Sequence, residues 1–243
     1  MKTTSPFFIH GIDCYMAGVR LIRQPGLRRF VIIPLVINMA LFSIASWMLW
    51  LYLSTVVESM LPSWLSWLAW LILPVFMAAV MVVVYYAFTL VANIIASPFY
   101  GYLAKGVEGH LKGDPHLALE TDFFSTETLA ILGSELRKLV YYLVRAIPLL
   151  LLSLIPGVNV ITLPLWLLFS AWFLSFEYAG YAFENHGVLF NEQKRILKQS
   201  RANSLAFGGL SLLATTIPIV NLFAPAVAVA GATKMLYERG ELK

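Results

Sequence analysis

Four long stretches of the chain carry no charged residue: residues 30–57, 59–104, 146–176 and 202–233. A helix of about 20 apolar residues crosses the hydrocarbon layer of a membrane. Residues 30–57 therefore predict one spanning helix. Residues 64–104 predict a second, preceded by Trp64, Trp67 and Trp70 at a spacing typical of an interfacial aromatic belt.

The third and fourth stretches share an interruption, IPGVN at 155–159 and IPIVN at 217–221. Each stretch is too short for two spans and a turn, and proline breaks a helix. We therefore predict two re-entrant hairpins, 146–176 and 202–233, which enter the membrane and turn back. At their tips, Asn159 and Asn221 can bond the backbone groups freed by the break and are candidates for lining a pathway. Distorted full-length hairpins without functional meaning are the alternative.

The remaining segments predict interfacial and cytoplasmic structure. Residues 5–24 predict an amphipathic interfacial helix that ends at Pro25-Gly26. Its apolar positions are Phe8, Ile12, Tyr15, Val19 and Ile22. We assign 105–145, 177–201 and the tail 234–243 to the cytoplasm, with a turn at 112–115 and an interfacial helix over 191–201.

Composition and charge support a membrane protein with one orientation. The chain is 60% hydrophobic and 12% charged, against about 45–50% and about 25% in soluble domains. All 17 basic residues fall on one side of the predicted topology, which the positive-inside rule makes cytoplasmic, along with both termini. We predict an all-α integral membrane protein with a single membrane domain, 1–243. A very apolar soluble core is the alternative.

The segment QPGLRRF (24–30) is the sharpest candidate for anion chemistry. Pro25 can open the first spanning helix, whose free N–H groups at Gly26, Leu27 and Arg28 would bind an anion. Arg28 and Arg29 add guanidinium groups that match tetrahedral oxyanions. Alternatively, both arginines only anchor the chain at lipid headgroups.

Other polar positions give weaker signals. Asn93, Ser97, Pro98 and Gly101 would break the end of the second span, either lining a pore or allowing close helix packing. Glu108 and Glu177 could pair with Arg137, Arg145 or the arginine pair, or could simply be solvated. Glu184-Asn185-His186 favours a structural turn over acid–base chemistry.

The sequence predicts neither a metal site nor a cofactor. The histidines (His10, His110, His116 and His186) lack metal-ligand spacing, and the single cysteine, Cys14, suggests no thiolate site. No phosphate-binding loop or nucleophile motif occurs. We expect neither an enzyme nor a nucleic-acid partner.

Several stretches together resemble the CysZ sulfate permease family of bacterial inner membranes. They are QPGLRRFVIIPLVIN (24–38), ANIIASPFYGYLA (92–104), IPGVN (155–159), LFSAWFLSFEY (168–178), FENH (183–186), FG (207–208) and IPIVNLFAPAVAVAGAT (217–233). The resemblance implies two spanning helices, two partly penetrating hairpins, a homo-oligomer (a dimer or higher) and sulfate uptake for cysteine biosynthesis. It also implies an oxyanion motif at Gly26, Leu27, Arg28 and Arg29.

Two positions depart from what the resemblance implies. Lys105 stands where an acid is expected, although Glu108 is retained, and Glu184 replaces an aspartate. Lys105 therefore makes an inherited carboxylate–arginine gate doubtful at that position.

We expect a channel-like sulfate permease, with sulfite as a second candidate anion. Moving a dianion inward against 100 mV costs about 4.6 kcal/mol, so a passive path needs very low internal sulfate, and proton coupling is the alternative. In this topology the GLRR segment is cytoplasmic, which makes it an exit or a sensing site. The second hypothesis is a non-transporting membrane adaptor with a basic cytoplasmic face, and a membrane-embedded enzyme is the third.

Overall fold

The computed structural model describes residues 7–60, 69–114 and 127–242, and within these residues the regular structure is entirely helical, with no strand. In chain order the helices are α1 (Phe7–Leu21), α2 (Arg29–Met60), α3 (Ala69–Lys112), α4 (Glu127–Ser153), α5 (Asn159–Glu184), α6 (Phe190–Gln199), α7 (Arg201–Thr216), α8 (Pro218–Asn221) and α9 (Ala224–Glu238).

The two long apolar helices confirm the predicted elements and correct their ends. Helix α2 begins at Arg29, so Pro25 does not open it. Helix α3 contains both Pro74 and Pro98 and continues to Lys112. The predicted break at Asn93–Gly101 is therefore wrong, because a proline removes only one helical donor and an apolar segment has few other partners for its backbone. Trp64 and Trp67 lie outside the described residues.

The chain divides into two compact units, one of Met1–Val31 with Tyr100–Lys243 and one of Ile32–Phe99. The second unit consists of most of α2 and α3. Its described side chains include many exposed apolar groups, among them Ile32, Val36, Met39, Trp47 and Val75. Exposed apolar surface on this scale is unusual for a soluble monomer.

Helix α9 is the most buried element of the first unit. Alanine and valine side chains from Ala226 to Ala232 are almost completely buried, as are Met235 and Leu236. Helices α1, α5 and α7 pack against α9, and α1 and α5 also pack against α7. Helix α9 therefore contributes mainly small side chains to the core, which let helix backbones approach closely.

Glycines mark the closest helix crossings. A Cβ at Gly18 of α1 would lie 2.2 Å from the carbonyl oxygen of Val227, and one at Gly208 of α7 would lie 1.8 Å from that of Ala171. No larger residue fits at these positions without separating the helices. The stretch FG (207–208) is therefore explained by packing, since Gly208 lies at the close crossing of α7 and α5.

The two helices that the sequence predicts to be interfacial pack into this core. Helix α1 packs against α7 and α9, and among its described side chains the buried face shares only Tyr15 with the predicted apolar positions. The buried residues are Gly11, Cys14, Tyr15, Gly18 and Leu21. Helix α6 buries Ile196 and Leu197 in the same core. The amphipathic pattern predicted both helices correctly, and their apolar faces pack against other helices of the first unit.

Both IPxVN segments interrupt helices, as predicted. Helix α4 ends at Ser153, Gly157 takes a φ of +85°, and α5 begins at Asn159. Helix α7 ends at Thr216, and the short α8 separates it from α9. The arms are longer than the predicted hairpins, because α4 begins at Glu127 and α5 ends at Glu184. Among the described residues, Arg29–Met48 and α5 are long and apolar enough to cross a membrane.

Candidate functional site

The segment between α1 and α2 forms a turn that is anchored on one side and open on the other. The side chain of Leu27 is buried in the core of the first unit, while Gly26, Arg28 and Arg29 are exposed. Gly26 has a φ of +91°, in the left-handed region that favours glycine, and a Cβ there would meet no atom within 4 Å. The turn therefore presents an open surface beside two guanidinium groups.

Two of the predicted backbone donors are already used in this turn. The N–H groups of Leu27 and Arg28 both donate to the carbonyl oxygen of Gln24, at 3.1 and 3.3 Å. The expectation that they are free helix-terminal donors is therefore wrong, since the helix starts later. The guanidinium groups of Arg28 and Arg29, the other polar groups of the predicted site, are exposed.

The start of α2 is fixed by aromatic contacts. The guanidinium carbon of Arg29 lies 4.7 Å from the centre of the Phe30 ring, and Phe30 stacks on Tyr102 of α3 at 6.1 Å. No carboxylate among the described residues forms an ion pair with Arg28 or Arg29.

Glu108 is buried near the end of α3, contrary to the expectation of ordinary solvation. Its Oε1 lies 2.6 Å from Nζ of Lys112, and its Oε2 lies 2.7 Å from Nε2 of His186. Burial alone raises the pKa of the Glu108 carboxyl, but these two partners outweigh burial and hold the pKa below its ordinary value. The carboxylate is therefore ionised at neutral pH and accepts the His186 N–H.

The FENH segment has a structural role. The side-chain amide of Asn185 donates to the carbonyl oxygen of Gly101 at 2.9 Å, while His186 reaches Glu108. The N–H groups of Gly187 and Val188 close the end of α5 through the carbonyl oxygens of Glu184 and Phe183. The predicted structural turn is confirmed, and it fastens α5 to the end of α3.

Glu177 pairs with a buried lysine rather than with an arginine. Nζ of Lys138 lies 3.5 Å from Oε2 of Glu177, and only 7% of the Lys138 side chain is exposed. Gly180 lies beside this pair, since a Cβ added to Gly180 would lie 3.4 Å from Nζ of Lys138 and 3.2 Å from Oε1 of Glu184. The pair joins α4 to α5 at the base of their hairpin.

The asparagines of the two tips are exposed and do not cap the helices. Val158 is the N-cap of α5 and makes no side-chain hydrogen bond. Backbone donors satisfy the turn instead, with Thr162 N–H bonding to Val158 O and Asn221 N–H bonding to Ile217 O. Around them, Val160 is 81% exposed and Ile219 is 77% exposed, so each tip is strongly apolar.

The predicted site residues do not all come together. Asn93 lies within α3, and its side chain is outside the described set; Ser97 is partly exposed on the same helix. Glu108 is held by Lys112 and His186, a network that the sequence did not predict because His186 lies 78 residues away. Asn159 and Asn221 occupy the tips of separate hairpins.

Comparison with known proteins places the chain in a family. Residues 14–225 match the family model described as sulfate transporter CysZ/etoposide-induced protein 2.4. A Pseudomonas aeruginosa protein named sulfate transporter CysZ is 41% identical over 92% of this chain and 93% of its own length. Two further relatives carry the same name. The Pectobacterium atrosepticum protein is 41% identical over 94% of this chain and 85% of its own length. The Pseudomonas fluorescens protein is 42% identical over 92% of this chain and 91% of its own length.

These relatives are named as transporters, which gives no support to the adaptor alternative or to an enzyme. The match extends over both IPxVN segments and the arginine turn. The chain belongs to the sulfate transporter CysZ/etoposide-induced protein 2.4 family.

Proposed function

We propose that this protein carries sulfate across the bacterial inner membrane, supplying sulfur for cysteine biosynthesis. The observation that carries the proposal is the 41% identity to a named sulfate transporter over 92% of the chain. The exposed guanidinium groups of Arg28 and Arg29, without an ion-pair partner in the described residues, supply the chemistry for a tetrahedral dianion.

In this proposal α2 and α3 cross the membrane, and the α4–α5 and α7–α9 hairpins penetrate it in part. Arg145 lies ten residues before Ile155, and Lys234 lies ten residues after Ala224. At about 1.5 Å per residue, each hairpin has an arm with a cation about 15 Å from its tip. If these cations stay at the interface, the tips reach about the middle of a hydrocarbon layer of about 30 Å.

Burial along α5 agrees with partial penetration. Helix α5 is long and apolar enough to cross a membrane, but its second half is largely buried, from Ala171 to Phe183. Residues Val160 to Leu168 carry most of its exposed apolar side chains. The exposed part of α5, Val160 to Leu168, is thus about as long as the apolar end of α4, which is what two matched arms of a partly penetrating hairpin require.

The proposal also includes the lipid bilayer and a homo-oligomer, a dimer or higher, as partners of the exposed apolar surface. Leu136, Leu139, Val140, Leu143 and Val144 form an exposed stripe on α4. Either lipid or a second copy must cover it. The cytoplasmic orientation of both termini, and the roles of Asn93, Ser97, Glu108, Asn159 and Asn221 beside the pathway, belong to the same proposal.

The test is radiolabelled sulfate uptake into liposomes that contain the purified protein, beside empty liposomes. We expect uptake above the empty control, inhibited by excess unlabelled sulfate and, if sulfite shares the path, by sulfite. A fixed potassium diffusion potential with a protonophore separates the two driving modes. Uptake that persists without a proton gradient indicates a passive path, whereas wild-type uptake equal to that of empty liposomes would refute the function.

A further inference from the structure

Three side chains of different ligand types meet where α1 passes the end of α9. His10 and Cys14 are four residues apart on α1 and therefore share a face, and Glu238 is the last residue of α9. Nε2 of His10 lies 3.7 Å from Sγ of Cys14 and 3.7 Å from Oε2 of Glu238. Sγ of Cys14 lies 3.6 Å from the same Oε2. The three atoms form a nearly equilateral triangle.

We propose that His10, Cys14 and Glu238 bind one divalent transition-metal ion of the zinc type. Tetrahedral Zn²⁺ with ordinary bond lengths requires about 3.3–3.6 Å between nitrogen, sulfur and oxygen ligands. The observed separations of 3.6–3.7 Å differ from those values by only a few tenths of an ångström. Small side-chain rotations would close the site.

The ligand set selects the class of metal. Imidazole and thiolate favour zinc and related ions, whereas calcium and magnesium take oxygen ligands. One thiolate and one carboxylate balance the charge of a divalent ion, and neutral His10 adds none. Burial raises the pKa of the Cys14 thiol to about 12, so binding the metal releases one proton from sulfur to the solvent.

The surroundings leave the required atoms available. Lys234 donates to Oε1 of Glu238, which orients the carboxylate and leaves Oε2 facing Cys14. Cys14 is buried, whereas the side chains of His10 and Glu238 are 19% and 38% exposed. The site therefore opens at one edge, through which a metal can enter and a water can complete four ligands.

His10 and Glu238 lie on either side of the residues that match the family model, 14–225. A metal here would fasten α1 to the end of α9, and so join the two ends of the chain. The role would be structural or regulatory, and it does not depend on sulfate passage through the protein.

Cobalt titration tests the site directly. The protein, purified without a polyhistidine tag and stripped with a chelator, receives one equivalent of Co²⁺. We expect a thiolate-to-cobalt charge-transfer band that saturates at one ion per chain and disappears on adding Zn²⁺. Because Cys14 is the only cysteine, this band can come from no other residue.

Variants separate this site from adventitious binding. Cys14→Ser removes the band, and His10→Ala weakens cobalt binding. Glu192→Gln, which removes a partly exposed carboxylate of α6, changes neither. No band in the wild-type protein, or a band that survives Cys14→Ser, overturns the proposal.

If Cys14→Ser does not fold, thiol labelling of Cys14 decides. Free Zn²⁺ at one hundred times its Kd should slow labelling by about 100-fold in the wild-type protein, if labelling requires opening of the site. In His10→Ala the slowing should be lost. Equal labelling rates with and without Zn²⁺ in the wild-type protein refute the site.

Discussion

Gly208 and Gly209 are adjacent residues of α7 that should respond in opposite ways to the same added methyl group. A Cβ at Gly208 would lie 1.8 Å from Ala171 O and 2.5 Å from Ser175 Oγ, whereas one at Gly209 would meet nothing within 4 Å. The nearest obstacle at Gly208 is backbone, which cannot rotate away. Gly208→Ala must therefore separate α7 from α5.

The expected magnitudes follow from packing and helix propensity. Overpacking costs about 1–3 kcal/mol, and a backbone obstacle puts Gly208→Ala at the upper end. Separating the helices also strains the hydrogen bond that the Ser175 hydroxyl of α5 donates to Ser204 O of α7. At about 2–4 °C per kcal/mol, a loss of about 3 kcal/mol lowers the melting temperature by about 6–12 °C. Gly209→Ala gains about 1 kcal/mol of helix propensity and raises it by about 2–4 °C.

The assay is thermal unfolding of both variants and the wild type in one detergent, at one scan rate, with size-exclusion profiles to check assembly. Gly209→Ala is the matched control, since it adds the same atom to the same helix. If Gly208→Ala melts with the wild type, or if both variants lose stability equally, the close α5–α7 crossing is refuted.

Three further perturbations test the network, the turn and the hairpin. Glu108→Gln should lower the free energy of unfolding by about 1–3 kcal/mol at neutral pH. The folded-state pKa of Glu108 lies below its ordinary value of 4.5. In a pH series of melts, the stability advantage of the wild type over the variant should therefore be constant above pH 4.5 and vanish as the pH falls further. Asn185→Ala loses the bond to Gly101 O and should lower the melting temperature by about 2–4 °C, whereas no change would mean that the bond does not hold α5. Val160→Cys in a Cys14→Ser background should resist a membrane-impermeant maleimide from both sides of the membrane, and rapid labelling from either side would contradict an embedded tip.

Sequence patterns predicted helices where the physical cause is local. The uncharged run from Phe30 and the Pro156-Gly157 break both depend on neighbouring residues, and α2 and the α4–α5 turn appear close to the predicted places. Helix ends do not follow from such local patterns, since Pro98 predicts an end but lies inside α3. A proline lowers helix stability without determining where a long apolar helix stops.

Tertiary partners could not be read from the sequence in this way. Glu108 was expected to be solvated because its partner His186 is distant in the chain, although Lys112 at i+4 was a visible local signal. The His10–Cys14 spacing was also visible, but Glu238 gives no sign of joining them before the chain is folded. Contacts between distant segments depend on which helices pack together.

Sulfate flux through an arginine variant is the most direct test of the proposed anion site. Arg28→Ala/Arg29→Ala and Arg137→Ala/Arg195→Ala each remove two exposed cations, but only the first pair lies in the turn. In liposomes with equal amounts of folded protein, we expect the first variant to lose sulfate uptake and the second to retain it. Equal uptake by the two variants would contradict an anion site at this turn.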